Sequence, residues 1–141
     1  MRDKVFERGE NVARIFKVVD ACNRCGLAFR IASERITNDP FRHFADELRQ
    51  MLDRFSFELL TEIHRTDGGD FGPPRSYVDA TNDADILRGR CESALQDMIG
   101  DYDESMVHHI PAHARAMIKR QGQLLKQMSG RFANLYRDAS A

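Results

Sequence analysis

Residues 39–64 read DPFRHFADELRQMLDRFSFELLTEIH, and this stretch decides the fold. Its large apolar residues recur every three or four positions, which places them on one face of an α-helix. Asp39 and Pro40 are typical of the cap and first turn of a helix, and Gly68-Gly69 is typical of a helix end. The pattern predicts a helix over about 40–67. Its inward face carries Phe41, Phe44, Leu48, Met51, Leu52, Phe55, Leu59 and Ile63.

Three other segments show the same period, and they predict helices over about 10–37, 83–105 and 111–138. No segment has the pattern of a strand, and 141 residues is the length of one domain. We therefore predict an all-α four-helix bundle that forms a single domain over residues 1–141. The inward residues are Val12, Ile15, Val19, Cys22, Phe29 and Ile36 in the first helix, Leu87, Cys91, Ala94, Leu95, Met98 and Tyr102 in the third, and Ala114, Met117, Gln121, Leu124, Leu125, Met128, Phe132 and Leu135 in the fourth.

The connection between the second and third helices is long. Residues 68–81 show no helical period and contain the Pro73-Pro74 pair, which indicates an ordered connector. Fourteen residues can extend over about 46 Å, which is enough to run the length of a bundle. We expect a long crossover that makes the third helix parallel to the second.

Charge and apolar content bear on the partners and the compartment. The chain has 21 Lys and Arg against 22 Asp and Glu, so its net charge of -1 gives no signal for nucleic acid or anionic lipid. The first eight residues are too charged for a secretory signal, and no apolar run is long enough to span a bilayer. Three cysteines, an odd number, suit a reducing compartment. We expect a cytoplasmic protein that binds neither nucleic acid nor membrane.

The cysteines have two interpretations. Cys22 and Cys25 lie three residues apart on one face of a helix, and Cys91 lies near the middle of the third helix. The three sulfurs could meet at mid-bundle and bind a soft metal such as Zn(II) or Cu(I). Alternatively, they are buried as small apolar residues, which is the commoner role of free cysteine. We favour the second interpretation, with no cofactor.

Histidines cluster where the third helix meets the fourth. His108, His109 and His113 lie within six residues, and parallel second and third helices would bring His64 to the same end. Simple up-down order would bring His43 instead. These imidazoles are candidate ligands of a divalent metal, although histidines near helix ends are more often solvated or act as caps.

Three residues break the apolar pattern. Gln121 is a polar residue on a core face, where we expect it to bond a facing Glu, Tyr or backbone group and to fix register. Phe57 and Leu60 lie off the inward face of the second helix, which favours a partner surface and a homodimer. The alternative is that both pack under the following connector.

Helix four carries several basic residues. Its bases are Arg115, Lys119, Arg120, Lys126 and Arg131. They are spread around the helix, so we interpret them as a solvated surface balanced by acids elsewhere and not as a phosphate track.

Several segments resemble a family of uncharacterised bacterial proteins with a ferritin-like four-helix bundle, a family of unknown function. The resemblance covers nearly the whole chain and implies a ferritin-like fold with a long crossover. The matching segments are Cys22 with Ala28-Phe29-Arg30 and Glu34, Glu58-Leu59 through Gly68-Gly69, Asp83-Ala84-Asp85-Ile86-Leu87 with Cys91-Glu92 and Tyr102, and Arg120-Gln121 through Arg137-Asp138-Ala139.

The chain departs from the ligand pattern of metal-handling ferritin-like proteins, which use glutamates and Glu-x-x-His pairs. Gly26, Leu95 and Leu124 stand where the resemblance would place ligands, Ser129 stands where a histidine would fall, and no Glu-x-x-His string occurs. These residues disfavour a di-metal oxidase. We expect a non-enzymatic bundle, without catalytic residues or a di-metal centre, that acts through self-association or a protein partner. A protein that binds metal through its cysteines or histidines is the alternative.

Overall fold

The computed structural model describes residues 2–66, 81–108 and 110–140, with side chains over 12–63, 81–108 and 110–135. Four helices make up almost all of this part of the chain: α1 (Arg2–Arg35), α2 (Asp39–Thr66), α3 (Ala84–Met106) and α4 (Ala112–Ser140). These ranges contain no strand, so the all-α prediction is confirmed. Helix α1 begins eight residues before the predicted start. Charged residues with good helix propensity extend a helix beyond its apolar face, which is why periodicity missed this turn.

Side-chain caps set the beginnings of two helices. Asp83 caps α3, because its Oδ1 atom accepts hydrogen bonds from the backbone amides of Asp85 at 2.9 Å and Ile86 at 3.1 Å. Asn38 caps α2, because its Oδ1 atom accepts from the amide of Phe41 at 2.9 Å. The prediction that Asp39 caps α2 was therefore wrong by one residue. Asp39 is instead the first helical residue, where its charge suits the helix dipole.

The four helices form a square in which each contacts two others. Within the described residues α1 packs against α2 and α3, and α4 packs against α3 and α2, so α1 and α4 lie on one diagonal and α2 and α3 on the other. Contacts at successive levels show the directions of the helices. Cys22 meets Tyr102 and Cys91 meets Ala28, so α3 is antiparallel to α1.

Helix α2 is also antiparallel to α1. The ring of Phe29 packs against that of Phe44, whereas the earlier residue Asn23 accepts a hydrogen bond from the later residue Ser56. Helices α2 and α3 therefore point in the same direction across the diagonal. The connector predicted over 68–81 lies outside the described residues except for Thr81.

The core is wider than the predicted faces. Most residues predicted to point inward are buried, but Met51, Ala94, Met117, Leu124 and Leu135 are only partly buried. Each helix of a square bundle contacts two neighbours, so its buried face exceeds one narrow stripe. This accounts for the buried helical residues that the periodicity omitted: Val18, Ala21, Cys25, Ala32, Ala45, Ile99 and Ile118. Ile110, between α3 and α4, is also buried.

An aromatic cluster fills one end of the bundle. The ring of Phe29 lies 6.1 Å from Phe41, 5.9 Å from Phe44 and 5.5 Å from Phe132, measured between centroids. The contacts with Phe44 and Phe132 are tilted or edge-to-face, which are favourable geometries for aromatic rings. The cluster joins α1, α2 and α4. Smaller and more polar side chains occupy the middle of the bundle.

Candidate functional site

A buried polar network crosses the middle of the bundle. The Tyr102 hydroxyl donates to Oε1 of Gln121 at 2.7 Å, and the Sγ atom of Cys22 lies 3.2 Å from the same hydroxyl. Nε2 of Gln121 donates to the carbonyl oxygen of Phe55 at 3.5 Å, which is a long contact. The four residues come from α3, α4, α1 and α2, so one chain of polar contacts joins all four helices.

The network keeps its polar groups satisfied without water. Gln121 is fully buried and Tyr102 and Cys22 are almost so, and a buried polar atom left unbonded costs about 1–3 kcal/mol. Burial, with the neighbouring Cys22, raises the pKa of the Tyr102 hydroxyl well above its ordinary value. The phenol therefore stays neutral and remains a donor. The sequence predicts Gln121 on a core face, and in the structure its side chain bonds the Tyr102 hydroxyl and the Phe55 backbone carbonyl.

The three cysteines are free and buried in the core. Burial raises the pKa of the Cys22 and Cys91 thiols to about 12. The pKa of Cys25 is raised by burial and also by the proximity of Cys22 and Cys91. The thiolate is the form that binds metal and reacts as a nucleophile, and this environment disfavours it. Within the described ranges, no three His, Cys, Asp or Glu side chains are grouped so as to hold a metal ion.

The histidines have separate surroundings where they are described. Nδ1 of His113 lies 3.1 Å from Oε2 of Glu62, which joins α4 to α2. The backbone carbonyl of His108 accepts from Nη2 of Arg115 at 2.7 Å, so this arginine caps the end of α3. His109 and the side chain of His64 lie outside the described residues.

The bases of α4 pair with acids on neighbouring helices. Arg131 contacts both carboxylate oxygens of Glu47, at 2.9 and 2.7 Å, and Lys126 contacts Asp103 at 2.9 Å. Arg120 pairs with Glu58. The bond from Arg131 lowers the pKa of Glu47, and Glu47 raises that of Arg131. Exposed pairs of this kind stabilise little individually, but they set the register of α2 against α4.

Sequence reasoning missed the acidic row on α2 that meets these bases. The row is Glu47, Glu58 and Glu62, spaced by eleven and four residues. Eleven residues are about three helical turns, so this spacing places the carboxylates along one face. This spacing could have revealed the acidic row, but only if α4 were already known to be a neighbour of α2.

The positions where the resemblance to a ferritin-like family would place metal ligands are occupied by Gly26, Leu95, Leu124 and Ser129. Leu95 is fully buried and Leu124 is partly buried. A Cβ atom added at Gly26 would lie 3.9 Å from Cδ1 of Leu52. Ser129, where a histidine would fall, accepts a hydrogen bond from Nε2 of Gln96 at the surface. Glycine has no side chain, and the leucine and serine side chains cannot supply the carboxylate or imidazole ligands of a di-metal centre.

The two residues assigned to a partner surface differ in exposure. Phe57 is 72 % exposed on α2, whereas Leu60 is partly buried and packs against the core. Leu60 is thus less exposed than Phe57 and lies at the edge of the wide buried face. Among the described side chains, the other large apolar residues with substantial exposure are Ile86 at 48 % and Val107 at 80 %.

A groove of about 520 Å³ lies between the outer sides of α1 and α3. Its lining includes Ala21, Ala28, Ile86, Ala94 and Met98. These apolar side chains suit an apolar ligand group.

Stability is expected to fall above pH 9, and Cys91 is expected to contribute to the fall. The ordinary thiol pKa of 9.0 applies in the unfolded chain, whereas the folded value for Cys91 is about 12. Between these values the folded state holds more protons, so the free energy of unfolding falls by at most about 1.4 kcal/mol per pH unit per thiol. The stabilisation is complete below pH 9 and is lost as pH rises toward 12.

Urea denaturation from pH 8 to 10.5 would measure this slope. Cys91→Ala should show a shallower decline than the unsubstituted protein, whereas two parallel pH profiles would contradict the assigned environment of Cys91. Thiol titration of the native protein at pH 8 should be slow and should become rapid on unfolding.

None of the described helices combines the length and the apolar character needed to cross a membrane. The comparison of the chain with protein-family models gives no match, and the comparison with curated proteins gives none either.

Proposed function

We propose that this protein is a non-enzymatic helical bundle that acts through self-association, with a homodimer as the smallest assembly, or through a protein partner. The observation that carries the proposal is Phe57, a large aromatic side chain 72 % exposed at the middle of α2. Its neighbours Phe55 and Leu59 are buried, so the exposure is not a sign of a loosely packed helix. Exposed aromatic side chains on a rigid element are typical anchors of protein interfaces.

We also propose a ferritin-like arrangement with a long crossover, in a cytoplasmic protein that lacks a di-metal centre. The shared direction of α2 and α3 supports the crossover, since a chain that leaves the end of α2 must return along the bundle to begin α3. The apolar residues Leu95 and Leu124 support the loss of a metal centre. The resemblance to a ferritin-like family agrees with this arrangement.

The substitution Phe57→Asp tests the interface. We expect the unsubstituted protein to show a concentration-dependent mass above that of the monomer, and Phe57→Asp to shift it toward the monomer without loss of helical content. Sedimentation velocity over a hundredfold range of concentration would measure both proteins. Val107→Asp is the matched control, because Val107 is equally exposed but lies at the C-terminal end of α3. An unchanged mass for Phe57→Asp would remove the self-association proposal.

A second candidate is a soft-metal site at Cys22, Cys25 and Cys91, and the observation that favours it is the burial of all three free thiols in one core, although no three such side chains of the described residues are grouped as a metal ion requires. Binding of Zn(II) or Cu(I) requires the thiols to lose their protons, and burial has raised the pKa of these thiols. We therefore rank this function below the first. Elemental analysis of protein purified without a histidine tag, before and after incubation with each metal, decides it. Stoichiometric metal lost in Cys25→Ala would establish the site, and metal-free protein would exclude it.

A further inference from the structure

We draw no further inference here: the strongest candidate, the groove between the outer sides of α1 and α3, carries charges of both signs, its Arg24 already pairs with Asp20 and Asp101, and nothing in the structure shows what covers it.

Discussion

Replacing Phe29 with alanine is expected to lower the free energy of unfolding by about 3–5 kcal/mol, the usual cost of removing a fully buried aromatic side chain. Phe29 has no exposed surface and contacts the rings of Phe41, Phe44 and Phe132. Its loss removes apolar burial, leaves a cavity and deprives three rings of a neighbour. Urea denaturation at pH 7 would measure the change.

Phe57→Ala is the control for this experiment, because it makes the same chemical change at an exposed residue of the neighbouring helix. Under conditions where the protein is monomeric, we expect its effect to stay within about 0.5 kcal/mol. A cost below about 1 kcal/mol for Phe29→Ala would contradict the packing of the aromatic cluster. Equal costs for the two variants would contradict the assigned exposure of Phe57.

The sequence predicts the position of Phe29 because helical periodicity is a local property. A residue that lies on the apolar face of a helix points to the core whatever the neighbouring helix is. The same reasoning does not give the extent of burial of Leu60, which lies beside the predicted face and is partly buried. The width of the buried face depends on how many helices surround a given helix, and a single helix does not contain this information.

The pairing between helices is likewise absent from the local pattern. Gln121 and Tyr102 were both predicted to point inward, but their hydrogen bond depends on the register of α3 against α4. The position of His113 against Glu62 depends in the same way on α2 being a neighbour of α4. The residues of the network could therefore be predicted one by one but not as contacts, and the acidic row on α2 was missed altogether. The groove between α1 and α3 has no sequence signal, because a depression arises from side chains that are small relative to their neighbours across a helix pair.

In the buried polar network, the expected cost of a substitution depends on which polar groups are removed together. Gln121→Leu leaves the Tyr102 hydroxyl without its carbonyl acceptor, and Tyr102→Phe leaves the Gln121 amide without its donor. Each substitution alone is expected to cost about 1–3 kcal/mol, the penalty for a buried polar group that loses its partner.

The double variant Gln121→Leu with Tyr102→Phe should cost less than the sum of the two, by about 0.5–3 kcal/mol, because it removes both members of the bond. Urea denaturation of the four proteins in this cycle would give the coupling energy. Gln96→Leu is the matched control, since Gln96 also bonds across α3 and α4 but at the surface, and it should change stability by about 0.5 kcal/mol or less. Strictly additive costs would mean that Gln121 and Tyr102 do not act as a unit, and the register of α3 against α4 would then have to come from the apolar core and the surface ion pairs.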